Sequence, residues 1–270
     1  MTEIKKDIKT SESVSQGQFT YQRDIFPVDI VDIYPSDQNS ADLKVIGLGR
    51  NDKEYAIKRI NDGTGFIPAS ELFCYELAKR INIPTPEFDV LRLQDDELAF
   101  GSVWEGGVHK ISYMNEFNDI LNENIVVNNL STFFGKVYGF DLFINNIDRH
   151  PGNYLFRQSY NFMIALAFDY SRAWLEVDYS GYQAIDDKKC NTQTTVFHIN
   201  NFKKIDLTQS KIILDELSKI DKNAIKGILS EIPNSWLTEQ KSEEIIQWWG
   251  SKEFTDRINI LKGGVGNDLV

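Results

Sequence analysis

The sequence predicts an α+β chain, with a small β-rich N-terminal part and a larger helical C-terminal part, and three observations carry that prediction. Between Ile25 and Leu93 short apolar runs are separated by turn residues, with one helical stretch among them. A single hairpin pattern follows, with Tyr154-Leu155-Phe156, a polar turn at Gln158 to Asn161, and the apolar run Phe162 to Phe168. Beyond it, apolar residues recur at three- and four-residue steps.

In chain order, Val28 to Tyr34 alternates apolar and acidic residues as a first strand. Leu43 to Leu48 and Glu54 to Ile60 are the next two, with Arg50-Asn51-Asp52-Lys53 as the turn between them. Ala69 to Ile81 reads as a helix opened by Pro68 and stopped before Pro84 and Pro86. Phe88 to Leu93 and Glu97 to Val103 form a hairpin, and a helix is expected from about Ser131. After the Tyr154 to Phe168 hairpin, helices are expected over Leu207 to Ile220, Lys222 to Ile232 and Glu239 to Leu261. Trp236, Trp248 and Trp249 are read as packing residues. The polar and aromatic stretch from Leu175 to His198 is long for a connection, which favours a substrate-recognition or activation segment.

Composition sets the limits. A chain of 270 residues with 41% hydrophobic residues, 17 Phe and 11 Tyr can build a substantial core in one or two domains. Residues 1–20 are polar and read as a flexible extension, with 21–107 and 108–270 as two lobes. A formal net charge of −11 argues against a nucleic-acid backbone or an anionic bilayer as the main partner. No signal peptide or apolar span is evident, and two cysteines do not make a disulfide framework, so a cytoplasmic protein without membrane insertion is expected. The three histidines are far apart in sequence, which disfavours zinc.

The chemistry is concentrated in residues 145–171. Asp148 and Asn153 stand in an Asp-x4-Asn element within Asn-Asn-Ile-Asp-Arg-His-Pro-Gly-Asn, and Asp169-Tyr170-Ser171 follows the apolar strand. This is the spacing of the catalytic-loop Asp and Asn of protein kinases and of their Asp-Phe-Gly metal ligand. With the turn centred on Asn161, Asn153 falls opposite Asp169, and opposed residues lie about 4.5 to 5.5 Å apart at Cα. An amide oxygen and a carboxylate there suit Mg²⁺, a hard cation that takes one or two protein oxygens and otherwise water and phosphate. An ordinary hairpin with a turn Asp and a capping Asn is the plain alternative. Asp148 is assigned to the proton of an attacking hydroxyl, against the alternative of a loop Asp paired to Arg149. His150 is read as bracing the loop, and the role of Arg149 stays open.

Lys58, in Tyr55-Ala56-Ile57-Lys58, is the counterpart of the kinase Val-Ala-Ile-Lys lysine that neutralises phosphates. Its helical partner is Glu71 or Glu76, with Glu71 favoured. Gly47 and Gly49, in Ile46-Gly47-Leu48-Gly49-Arg50, are candidates for the phosphate loop, although the pattern is shorter than the kinase one and reads equally as a turn. No Gly-Lys-Ser/Thr motif is present, which excludes a P-loop NTPase.

These residues resemble the HipA-like kinase family, in the short form lacking the extra N-terminal module of the persistence toxin. The resemblance rests on Asn146 to Asn153, on Asp169-Tyr170-Ser171, and on Ser70-Glu71-Leu72 through Ile83-Pro84-Thr85-Pro86. Phe100-Gly101-Ser102 and Ile232-Pro233-Asn234-Ser235-Trp236 add to it, so that it spans about Ile25 to Leu261. It implies a two-lobed protein-kinase-like fold and Ser/Thr phosphorylation of a protein substrate by ATP with Mg²⁺. It also implies autophosphorylation, for which Ser70, Ser180 and Thr192 to Thr195 are candidates, and an antitoxin or regulatory partner. On this basis Asp148 is the base, Asn153 and Asp169 the metal ligands, and Lys58 the phosphate lysine. Ser171 departs from the glycine of Asp-Phe-Gly, which puts a flipping metal-ligand segment in doubt. A lipid or small-molecule kinase sharing the Asp-Arg-His-x-x-Asn core is the enzymatic alternative, and a partner-binding pseudokinase the non-enzymatic one.

Overall fold

A computed structural model describes residues 26–35, 45–104, 108–109, 114–160, 162–181 and 187–267. The expected N-terminal extension, residues 1–20, lies outside them, as does most of the expected lobe boundary between Trp104 and Lys110.

The N-terminal part is a closed five-stranded barrel in the order β1 (Val28–Pro35), β2 (Val45–Gly49), β3 (Glu54–Lys58), β5 (Leu98–Val103) and β4 (Phe88–Arg92). Neighbours are antiparallel except where β1 meets β4 in parallel, Val28 opposite Leu91, to close the ring. Its core is small, made of Ile30, Tyr55, Ile57, Leu91, Leu93 and Ala99. Closure leaves no free sheet edge to aggregate.

Helix α1 (Ile67–Arg80) runs between β3 and β4, with every residue from Ile67 to Ala78 buried. It belongs to the large core, which takes in residues of the C-terminal part together with Phe100 of β5, and there Phe73 stacks on Trp174 with ring centroids 4.5 Å apart. The helix that carries Glu71 packs on both parts of the molecule, since its Tyr75 also meets the rings of Phe88 in β4 and Phe100 in β5, with centroids 4.8 and 5.1 Å apart.

The C-terminal part holds a small sheet, β6 (Val108–His109), β7 (Tyr154–Ser159) and β8 (Phe162–Ala167), with helices α2 (Met114–Leu121), α3 (Leu130–Phe143), α4 (Asn191–Asn201), α5 (Leu207–Lys219), α6 (Lys222–Ser230), α7 (Glu239–Trp248) and α8 (Lys252–Gly264). The last four helices each start on a capping side chain: Asp206, Asp221, Thr238 and Ser251 accept from backbone N–H groups of the first turn. The single helix expected from Glu239 to Leu261 is two. Gly250 turns the chain at φ +72° and Ser251 caps a new start, a Gly-Ser signal visible in the sequence. Part of the Leu175 to His198 segment, from Asn191 onward, is helical. The tryptophans pack as expected: Trp249 is buried and donates to the Ile220 carbonyl, and Trp236 donates to the Leu98 carbonyl of β5, tying the tail to the barrel.

Helices α3 and α5 approach closely at Gly135 and Gly139. A Cβ on Gly139 would lie 2.5 Å from the Ser210 carbonyl oxygen and 2.8 Å from Ser210 Cα, both backbone atoms that cannot step aside. Glycine-to-alanine normally favours a helix by about 1 kcal/mol. Here the clash reverses the sign, and Gly139→Ala is expected to lower stability by about 1 to 3 kcal/mol, read as a lower denaturant midpoint at unchanged m.

Candidate active site

The loop after α3 is built around one buried ion pair. Arg149, fully buried, grips Asp141 with two parallel bonds, Nε to Oδ2 at 2.9 Å and Nη2 to Oδ1 at 3.1 Å. Its Nη1 donates to the carbonyls of Asn153, at 2.9 Å, and of Phe168. Its guanidinium lies 5.6 Å from the Tyr154 ring centroid and 5.0 Å from that of Tyr170. One side chain thus fixes the loop, the residue Asn153 and the backbone just before Asp169 to each other. Arg149 is a clamp, a role the sequence left open. Burial opposes its charge, but the Asp141 carboxylate beside it more than compensates and raises its pKa.

Asp141 also accepts from Asn146 Nδ2 at 2.8 Å, and Asn146 Oδ1 accepts from the Asp148 N–H at 3.1 Å, which sets the Asp148 backbone. Thr192, at the start of α4, accepts from the Arg149 N–H at 3.0 Å and donates to the Asn146 carbonyl. His150 Nδ1 accepts from the Gly152 N–H at 3.1 Å and caps the short 3₁₀ turn Pro151–Asn153. From the C-terminal end, Arg257 donates to the carbonyls of Leu142 and Phe143 and to Asn145 Oδ1, the last at 2.7 Å. The Asp148 carboxylate itself stays reachable, with its side chain 24% exposed; Oδ1 accepts from Asn191 Nδ2 and Oδ2 lies 4.0 Å from Arg172 Nε.

The hairpin register differs from the expected one by a single residue. Tyr154 pairs with Ala167 and Ser159 with Phe162, so Asn153 faces Phe168, whose N–H reaches the Asn153 carbonyl, and not Asp169. Ser159 opposite Phe162 moves the pairing by one residue from the expected register, and one residue of slip turns every side chain over. Asn153 and Asp169 are therefore not opposed across the hairpin, contrary to the expected pairing. Asp169 leaves the strand with a left-handed φ of +61°, which redirects its side chain. Asn153 is buried, and its Nδ2 donates to the Asp148 carbonyl at 2.9 Å, so Oδ1 is the end of the amide left to accept or coordinate.

Lys58 is where the two lobes meet chemically. Its ammonium lies 2.6 Å from Asp169 Oδ1 and 3.0 Å from Glu71 Oε1, and it also donates to Ser171 Oγ. Glu71 Oε1 further accepts from the Tyr170 N–H at 3.0 Å and from Ser171 Oγ at 2.9 Å, while Glu71 Oε2 is buried with no hydrogen-bond partner among the described residues. Glu76 instead pairs with Arg80 within α1. Burial works against the Lys58 charge, yet Asp169 and Glu71 together raise its pKa. Burial likewise pushes the Glu71 carboxyl up. For Asp169 burial is outweighed by the Lys58 ammonium and the Ser171 bonds, which hold it at about 2. The hydroxyl of Ser171, where kinases carry glycine, thus bridges lysine and glutamate.

Gly47 and Gly49 stand in β2 of the barrel. A Cβ on Gly47 would meet Ile57 Cδ1 at 2.6 Å inside the barrel, and one on Gly49 would meet Tyr55 Cε2 at 2.9 Å, so packing accounts for both. Among the described residues no three His, Cys, Asp or Glu side chains converge as a metal cage. The donor set suits a hard cation all the same, because Asn153 and Asp169 are oxygen ligands and the remaining positions of such an ion go to water and phosphate. Sequence reasoning missed Asp141 and Asn191 and singled out Thr192 only as a candidate phosphorylation site, whereas it is buried and bonded to the Arg149 N–H and the Asn146 carbonyl. An acidic residue within an otherwise apolar helix, Phe140-Asp141-Leu142, was the available signal for the first.

No curated protein matches the chain. Among solved structures it is similar to the Helicobacter pylori proinflammatory kinase CtkA, at 12% identity over 81% of this chain and 92% of that one, with a TM-score of 0.52. It is also similar to HipA of Shewanella oneidensis MR-1, solved with HipB and its operator DNA, at 13% identity over 81% of this chain and 60% of that one, with a TM-score of 0.45. At 12% identity the likeness to CtkA speaks for the fold only. The family model described as HipA-like kinase matches residues 44–253, well over half of the sequence, and the chain belongs to the HipA-like kinase family.

Proposed function

We propose that this kinase transfers the γ-phosphoryl group of ATP, with Mg²⁺, to a Ser or Thr hydroxyl of a protein. The observation that carries the reading is the Lys58 cluster: a barrel lysine held against Glu71 of α1 and Asp169 of the metal-ligand segment, with Arg149 linking that segment to the Asp148 loop. Asn153 and Asp169 are the residues that would hold the metal, which would offset the charge of the phosphates when bound. Lys58 places a fixed positive charge for the phosphates, and Glu71 orients it. Asp148, fixed through its backbone by Asn146 and through its carboxylate by Asn191, accepts or orients the proton of the attacking hydroxyl. On the strength of the family, a regulatory protein partner of the antitoxin kind belongs to the same proposal.

The test is transfer of labelled γ-phosphate from ATP with Mg²⁺, to the protein itself and to a generic Ser/Thr substrate. Asp148→Ala is expected to lower kcat by about 10² to 10⁴-fold while ATP binding is kept. Full activity of the variant would remove Asp148 from the chemistry; nucleotide binding without transfer by wild type would favour a pseudokinase. For autophosphorylation, Ser70, Thr192 and Thr195 are buried, whereas Ser180 and Thr194 are exposed, so phosphate found by mass spectrometry is expected on the latter two.

A further inference from the structure

The 3₁₀ turn Trp174–Val177, just beyond Asp169, packs onto α1. Trp174 stacks on Phe73, and the Leu175 N–H donates to Ser70 Oγ at 3.2 Å. Glu176 reaches the chain immediately before the helix with both carboxylate oxygens. Its Oε1 accepts from the Phe66 N–H at 2.7 Å, and its Oε2 accepts from the Thr64 N–H at 3.1 Å and the Thr64 hydroxyl at 2.8 Å.

Helix α1 needs such a partner. Its N-cap residue is Phe66, whose side chain makes no capping bond, and Pro68 in the first turn offers no N–H. The linker from β3 carries Gly63 and Gly65, the second at φ +113°, a conformation that glycine adopts freely. A linker of this kind does not by itself fix where a helix starts. A carboxylate at the helix N-terminus does, because it meets unsatisfied N–H groups and the positive end of the helix dipole. Glu176 supplies, from a distant stretch of sequence, the cap that the local sequence lacks.

The same segment also holds α1 one turn further in, where Glu71 accepts from the Tyr170 N–H and the Ser171 hydroxyl. Residues 170–171 and Glu176 thus grip α1 at two points, and Glu71 is the residue that pairs with Lys58. We propose that Glu176 is a positioning residue: by fixing the N-terminus of α1 it sets the Glu71 carboxylate, and so couples docking of the segment after Asp169 to formation of the Lys58 pair. The catalytic consequence rests on the kinase reading above, whereas the coupling within the fold does not.

The experiment compares full-length wild type, Glu176→Ala and Glu176→Gln by amide hydrogen exchange with mass spectrometry and by ATP-dependent phosphoryl transfer. Glu176→Ala is expected to speed exchange by about tenfold or more in peptides covering residues 64–71 and also in peptides containing Tyr170, with α5 unchanged. kcat is expected to fall about tenfold with a rise in KM for ATP. Glu176→Gln keeps one acceptor oxygen and is expected to lie between; it carries the test by the same peptides where the alanine variant does not fold. Faster exchange confined to residues 64–67, with Tyr170 and kcat unchanged, would reduce Glu176 to a local cap and overturn the proposal. Absence of any transfer by wild type would sink the kinase reading while the exchange at Tyr170 still decides the coupling.

Discussion

Asp169→Asn is expected to cut phosphoryl transfer by about 10³-fold or more, the scale at which removal of a preorganised charge from a transition state is felt. The substitution keeps shape and volume, and Asn tolerates the left-handed φ of +61° at this position, so the chain should still fold. What is lost is the negative charge that suits the residue to a metal and that now lies 2.6 Å from the Lys58 ammonium. Stability should respond in a pH-dependent way. The folded-state pKa of Asp169, about 2, lies below the ordinary carboxylate value, so its ionised form favours the fold above about pH 4 and that share drains away as pH falls through 2. Wild type should therefore exceed Asp169→Asn by about 2 kcal/mol near neutral pH, and the two should converge at the acid end. Glu71, pushed up by burial and further by the Asp169 carboxylate, works in the opposite sense within the same cluster, and in the variant it loses the second of these contributions. Thermal unfolding across pH, run beside a kinase assay, checks both statements. A variant that retains activity within about tenfold of wild type would remove Asp169 from the metal site.

What could be read from the sequence divides by the range of the interaction. Asp148, Asn153 and Asp169 share one short stretch, and the Ala-Ile-Lys end of a short strand located Lys58, because local pattern dictates local structure. Glu71 and Glu76, five residues apart, cannot share a helix face, and the favoured Glu71 is the one the structure pairs with Lys58. Closure of the barrel by the parallel contact of β1 with β4 was not legible, since it joins segments far apart in the chain and leaves no local mark. The hairpin register failed by one residue, because a polar run at Gln158 to Asn161 admits turns of more than one length, and pairing follows the turn. Gly47 and Gly49 drew attention as phosphate glycines, yet their missing side chains make room for Ile57 and Tyr55. Arg149 was visible as a residue and opaque as a role. Its function is defined by Asp141, Tyr154, Phe168 and Tyr170, none of which announces that it will enclose a guanidinium.

Arg149→Met is therefore the variant expected to damage the fold most. Methionine fills much of the space but leaves the Asp141 carboxylate buried against Asn146 with no cation, and strands the carbonyls of Asn153 and Phe168. Breaking a buried pair on one side typically costs about 3 to 5 kcal/mol, enough to unfold a domain of ordinary stability at 37 °C. Arg149→Lys should help little, because an ammonium cannot hold Asp141 with two parallel bonds while also reaching two carbonyls and lying between two rings. The informative protein is the double variant Arg149→Met with Asp141→Leu. Removing both charges takes away the unpaired carboxylate, so stability should recover by about 2 kcal/mol or more relative to Arg149→Met. Activity should not recover with it, because the clamp between the Asp148 loop and the backbone before Asp169 is gone in both proteins. Denaturant midpoints for the wild type, the two single variants and the double variant give the coupling energy, and kcat for the same four proteins separates the fold from the clamp. A double variant that regained wild-type kcat would show that Arg149 serves only to neutralise Asp141 and that the loop finds its place without it.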